Sequence, residues 1–173
     1  MAKTSATENK NIYYQLRHAQ NWSRERASQE LECIPPERIE RIENGKFTAN
    51  PDEVVIMAEK YKAPQLCNYY CANECAIGRQ YVPEIKMRDL TQIVLEMLSS
   101  LNSAKKRQER LIDITADGII ENDEVEDFID IQEDLEKMSL TVEALRLWSE
   151  KMLADGKIDM EAYRAAQKRK HTK

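Results

Sequence analysis

Glycine and proline are scarce in this 173-residue chain, four of one and five of the other. A many-stranded β fold needs such residues at its frequent turns, so their scarcity argues for helices. No apolar run approaches the 18 residues of a membrane-spanning helix. The opening segment MAKTSATENK carries no apolar stretch and does not read as a secretory signal. A cytoplasmic location is expected, with no membrane partner and with the four cysteines as reduced thiols. Histidine occurs only as His18 and His171, at opposite ends of the chain. No glycine-rich phosphate loop, HExxH pair or nucleophile elbow is present. The chain is therefore expected not to be an enzyme, and no cofactor is expected.

What the chain does have is charge, 33% of its residues, beside 42% hydrophobic residues. That mixture suits an ordered, helix-rich protein of one or two small domains. Residues 1–62 hold 10 basic and 10 acidic residues, so the net charge of −5 lies entirely beyond them. Arg17, Arg24, Arg26, Arg38, Arg41 and Lys46 are the cations able to cluster in the neutral part, with Glu37, Glu40 and Glu43 interleaved. Weak non-specific affinity for polyanions is expected.

The segment Trp22 to Lys46 organises the rest. Ser23 is a suitable N-cap for a helix over about Arg24 to Glu32, with Trp22, Ala27 and Leu31 on its apolar face. Pro35-Pro36 opens a second helix, since proline is tolerated at the first helical position. Ile39 and Ile42 face inward, and Asn44-Gly45 ends the helix. A preceding helix runs from Ile12 to Gln20, capped by Asn11, with Ile12, Leu16 and Ala19 as its buried stripe. A following helix starts at Asn50-Pro51-Asp52-Glu53 and buries Val54, Val55, Met57 and Ala58.

Trp22-Ser23, Glu25, Ala27, Leu31, Ile39 and the run Arg41-Ile42-Glu43-Asn44-Gly45-Lys46 resemble the lambda-repressor/Cro-like, or XRE-type, helix-turn-helix family of transcriptional regulators. The resemblance covers about Asn11 to Pro64. The turn Glu32-Cys33-Ile34-Pro35 is one residue longer than the usual pattern and lacks its glycine. The family implies a sequence-specific regulator that binds double-stranded DNA as a homodimer. Transferred to this chain, the recognition helix is Pro36 to Glu43, with Arg38 and Arg41 in the groove and Glu37 accepting from a cytosine amino group. Ser23 and Arg24 would lie near phosphates, with Lys46 behind the recognition helix.

A fifth helix, about Pro64 to Cys75, carries Cys67, Cys71 and Cys75 on one face. Across about 12 Å of rigid helix they cannot converge on one ion, so they read as packing residues. Cys33 could join two of them, which leaves a metal reading open. Ala76 to Val82, before Pro83, is the expected domain boundary.

Beyond it, Arg88 to Asp117 reads as one helix striped by Val94, Met97, Leu101, Ala104, Gln108, Leu111 and Thr115, a stripe widened by Leu90, Ile93, Leu98, Ile112 and Ile114. A second long helix, capped by Asn122 or Asp123, runs to about Leu153 and is striped by Val125, Phe128, Leu135, Met138, Val142, Leu145, Trp148 and Met152. Asp117-Gly118 and Asp155-Gly156 stop these helices, with Gly118 at the left-handed C′ position and Ile120 and Ile158 able to pair as short strands. A short last helix follows from Met160 to about Lys168. The expected fold is thus all-α: a five-helix lambda-repressor-like domain over residues 11–76, then an antiparallel hairpin plus a short terminal helix over residues 83–170. The hairpin would serve dimerisation or regulation.

Two other readings stay open. The neutral first domain and the Pro-Pro-Glu helix start suit an adaptor that keeps the fold and binds a protein through its C-terminal helices. Asp113, Thr115, Asp117, Ile119, Glu121 and Glu124 match a calcium-loop spacing, which makes a calcium-responsive hairpin the third reading. Its second copy at Lys151, Leu153 and Ala162 lacks the ligands but keeps Asp-Gly, so turn geometry accounts for the shared letters and no resident metal is expected.

Overall fold

In the computed structural model, residues 11–171 are described, with side chains described as far as Lys170. They form helices only, with no strand among them, so the Asp-Gly segments end helices without pairing as strands. No helix among these residues is long and apolar enough to cross a membrane. They divide into two compact units, residues 11–84 with 150–171, and residues 85–149. The last helix thus groups with the first unit.

The first unit holds α1 (Ile12–Ala19), α2 (Arg24–Leu31), α3 (Pro36–Glu43), α4 (Pro51–Lys60), α5 (Gln65–Asn73) and the short α6 (Gly78–Tyr81). Eight-residue helices are unstable alone, so capping and packing must hold them. Asn11 and Ser23 accept the backbone N–H of Tyr14 and Arg26, and Pro36 opens α3 as expected. Ala27, Leu31, Ile34, Ile39, Ile42, Val54, Met57, Tyr61 and Leu66 form one buried core. Two expectations shift. Ala19 is exposed, and Tyr13 and Arg17 are the buried residues of α1. Val55 is 57% exposed, because α4 turns Val54, Met57, Ala58 and Tyr61 inward.

Helix ends show how the chain turns. After α3, Gly45 at φ +65° donates to the Ile42 carbonyl and Lys46 donates to the Arg41 carbonyl, a Schellman motif. Asn21 and Lys62 play the same part after α1 and α4. Between α2 and α3 the positive φ falls on Glu32, at +59°. This exposed residue takes a conformation that glycine adopts without steric cost. At Gly78 the constraint is space: a Cβ there would sit 2.1 Å from the Cys71 carbonyl oxygen, so α6 packs on α5 only because Gly78 has none.

The second unit contains α7 (Leu90–Ile114) and, up to Ser149, α8 (Val125–Ala154). Arg107 pairs with Asp130 and Asp134, and Arg110 with Asp127 and Glu124. As the number falls along α7 it rises along α8, so the pair is antiparallel. Both elements are shorter than expected at their junction. α7 stops at Ile114, leaving Gly118 beyond the C′ position, and Glu124 rather than Asn122 or Asp123 precedes α8. The terminal helix α9 (Met160–His171) belongs to the first unit.

Replacing Glu32 with glycine removes left-handed strain of about 1–2 kcal/mol and adds unfolded-state freedom worth somewhat less. Glu32→Gly should therefore raise the unfolding free energy by about 0.5–1 kcal/mol in urea titrations. Gly78→Ala should lower it, since the clash is with backbone. An unchanged urea midpoint for Gly78→Ala would show that α6 does not need this contact.

Candidate nucleic-acid interface

Three polar ties hold α3. At its end, Glu43 is buried and takes both ends of the Arg17 guanidinium, Nε at 2.5 Å and Nη2 at 3.0 Å. Arg17 Nη1 also donates to the Trp22 carbonyl at 2.5 Å, and Arg24 Nε reaches the same Glu43 carboxylate at 2.9 Å. The hydrogen bond to Glu43 holds the Arg17 pKa above its ordinary value, against the effect of burial. Asn11 Nδ2 donates to the Ile42 carbonyl at 2.6 Å. Near its start, Arg38 grips Glu53 of α4 with Nε at 2.8 Å and Nη2 at 2.7 Å, and Nη2 also donates to the Thr48 carbonyl. Glu53 in turn accepts the backbone N–H of Asn50 at 2.7 Å. The bond from Arg38 is the main cause holding the Glu53 carboxyl below its ordinary pKa.

These ties leave one side of α3 in solvent: Glu37, Glu40, Arg41 and Asn44 are exposed, with Pro36 half-buried at the start. Arg41 lies over the ring of Phe47, 5.5 Å from its centroid, and that ring is itself 54% exposed. Lys46 is exposed beside it. Among the described residues neither Arg41 nor Lys46 has an ion pair. Ser23 is exposed at the start of α2, its oxygen engaged by the Arg26 N–H and its hydroxyl shared with the Glu25 carboxylate.

The residues expected at a DNA surface thus part company. Arg41, Lys46, Ser23 and Glu37 stand exposed. Arg24 is half-buried between Glu40 and Glu43, and Arg38 is occupied by Glu53. Arg17, counted among the clustering cations, is buried and adds nothing to the surface. Arg26 pairs with Glu30. Sequence reasoning missed Phe47 and the structural work of Glu43 and Glu53. Glu43 lies inside the motif that carried the family resemblance, which was the available signal. Glu53 stands at the third position of α4, where a carboxylate completes a capping box.

The other candidate sites resolve into local structure. Thr115 Oγ1 donates back to the Leu111 carbonyl, Asp117 accepts the Ile119 N–H, and Glu124 accepts the Glu121 N–H while facing Arg110. These calcium-loop letters therefore serve a helix end and a helix start. Asp113 lies in the last turn of α7, upstream of this bend. Cys67, Cys71 and Cys75 are half-buried free thiols; burial pushes the Cys67 thiol up, and Cys75 Sγ accepts the Gly78 N–H. Cys33 is exposed. Among the described residues no group of three or more His, Cys, Asp or Glu side chains is placed to hold a metal ion.

No family model, curated protein or solved structure matches the chain.

Two predictions follow from the ties on α3. Removing one partner strands a buried charge, so Glu43→Gln or Arg17→Met should each cost about 3–5 kcal/mol. The double replacement should cost well below the sum, which chemical denaturation of all three variants would show. For Glu53 the folded-state pKa lies below the unfolded one. Its contribution is full above the unfolded value and is lost as pH falls through the folded value. Glu53→Gln should therefore be less stable than the parent at pH 7, with the gap closing in acid. A gap independent of pH would show that the charge is immaterial.

Proposed function

We propose that the chain is a sequence-specific DNA-binding transcriptional regulator in which α2 and α3 act as a helix-turn-helix and α3 enters the major groove. The observation that carries this reading is the mounting of α3: it is tied to α1, α2 and α4 by buried or half-buried ion pairs while its outer side stays open. A helix read by rigid contact needs that arrangement, because base edges are recognised by hydrogen bonds of fixed geometry. Arg41 is the residue for a bidentate contact to guanine, and Glu37 for a cytosine amino group. Lys46, Ser23 and the part of Arg24 left by its carboxylates serve phosphates. Arg38 is assigned to positioning, since groove contact would require it to release Glu53. Pro36 sets the approach of the helix.

A second reading rests on one specific observation. Arg24 and Arg38 are both held by carboxylates, so few cations remain on this side, and Glu37 and Glu40 stand among them. That surface also suits a protein partner, with the chain working as an adaptor.

Selection from a random DNA pool at low salt, followed by a salt titration, separates the two. The regulator reading expects an enriched sequence. Arg41→Ala should weaken that sequence by about 1–3 kcal/mol while losing at most about 1 kcal/mol of stability with the Phe47 contact. Lys46→Ala should weaken all sequences alike and reduce the salt slope by about 1. No enrichment and no binding at low salt would replace the regulator with the adaptor.

A further inference from the structure

The hairpin of the second unit has two unlike flanks. One carries the ion pairs of Arg107 and Arg110 with Asp127, Asp130 and Asp134. On the other, Val94, Leu98, Leu101 and Ile112 of α7 and Leu135 and Val142 of α8 are each 42–58% exposed. At 100° per residue both sets lie roughly a quarter-turn from the contact between the helices, on the same side of the pair.

Their spacing is informative. Val94, Leu98, Leu101, Lys105, Gln108 and Ile112 step by four and three through almost three heptads. Leu135 and Val142 are one heptad apart, with Phe128 one heptad before them. Sustained alternation of this kind marks the seam of a left-handed helical bundle. In a lone pair that seam is only half closed.

We propose that this flank is where a second copy of the chain docks, two hairpins completing a four-helix bundle. Area argues for this occupant. Six half-exposed side chains leave on the order of 500 Å² of apolar surface, at the upper end for a monomer. Two such faces together hide about 1,000 Å² before any rim residue is counted, the least a specific interface needs, and rim residues bring it toward the roughly 1,200 Å² of stable ones. Geometry argues for it as well. A two-fold contact needs a partner with the same pair of heptad seams, and an identical hairpin supplies one. Lys105 and Gln108 interrupt the apolar seam of α7, and polar seam residues restrict register and number of chains. This deepens the regulator reading, in which two copies would address paired half-sites, but its test uses no DNA and fails separately.

The test is the mass of the full chain by sedimentation equilibrium at tens of micromolar. The expected result is twice the 20.2 kDa of one copy. Leu98→Glu with Leu135→Glu should give a monomer of unchanged helical circular dichroism, raising the dissociation constant at least 100-fold. Val94→Lys with Val142→Lys, of opposite charge, should do the same and guards against misfolding of the first pair. Leu95→Glu, on an exposed residue outside the seam, should leave the dimer intact. A monomeric parent overturns the proposal, and so does a dimer that survives both double replacements. Loss of the dimer in Leu95→Glu alone would place the contact elsewhere and overturn it as well.

Discussion

The buried pair between Arg17 and Glu43 is the constraint on which the first unit depends. Neither charge can be left alone away from water, because an unpaired buried ion costs several kcal/mol. The pair therefore admits only arrangements in which the end of α1 meets the end of α3. Arg24 adds a second donor to the same carboxylate, and the Trp22 carbonyl takes a remaining donor of Arg17, so the start of α2 is drawn into the same knot. Against an apolar substitute such a pair need not add stability. What it adds is a penalty on every other packing of three helices that are each too short to persist alone. The second tie, Arg38 to Glu53, fixes the other end of α3 and also completes the start of α4.

Much of this unit was legible in the sequence because its signals are local. Asn11 and Ser23 declare helix starts within three residues of the N–H groups they accept, and Pro36 and Gly45 bracket α3 by their own backbone preferences. Ile39 and Ile42 read as core from helical spacing alone. What escaped depends on partners far along the chain. Arg17 looks like a surface cation until Glu43, 26 residues on, is seen beside it. Arg38 looks like a reading residue until α4 brings Glu53 to it across 15 residues. Glu32 shows the reverse: the missing glycine was visible, but not that the chain would still adopt a positive φ there.

In the hairpin, what escaped was different. Its period was clear, yet the side turned inward was not. The expected stripe on α7 was centred on residues such as Val94 and Leu101, which are exposed, whereas Ile93 and Ile114, expected only to widen it, are the buried ones. On α8, Leu135 and Val142 are exposed while Ile131, Thr141 and Ala144 are buried. A helix with apolar residues around more than a third of its girth can bury either edge of the stripe. Two helices alone can cover only one edge, so period fixes the element but not its orientation. The uncovered edge is then a property of the fold rather than a misreading of the sequence.

These features bear on each other through electrostatics. The carboxylates that make α3 rigid also neutralise the arginines beside it, so orientation and attraction draw on the same side chains. Under the regulator reading, one copy would release few counterions, and its hold on DNA would be weak and only modestly dependent on salt. Such a reader gains most from a second copy held at a fixed distance, because the second contact is then made at high local concentration. A chain that bound its arginines less tightly would attract DNA more strongly but hold its reading helix less firmly. Under that reading, specificity would rest on Arg41 and Glu37 on a fixed helix and affinity on pairing, because so many of the arginines are engaged internally.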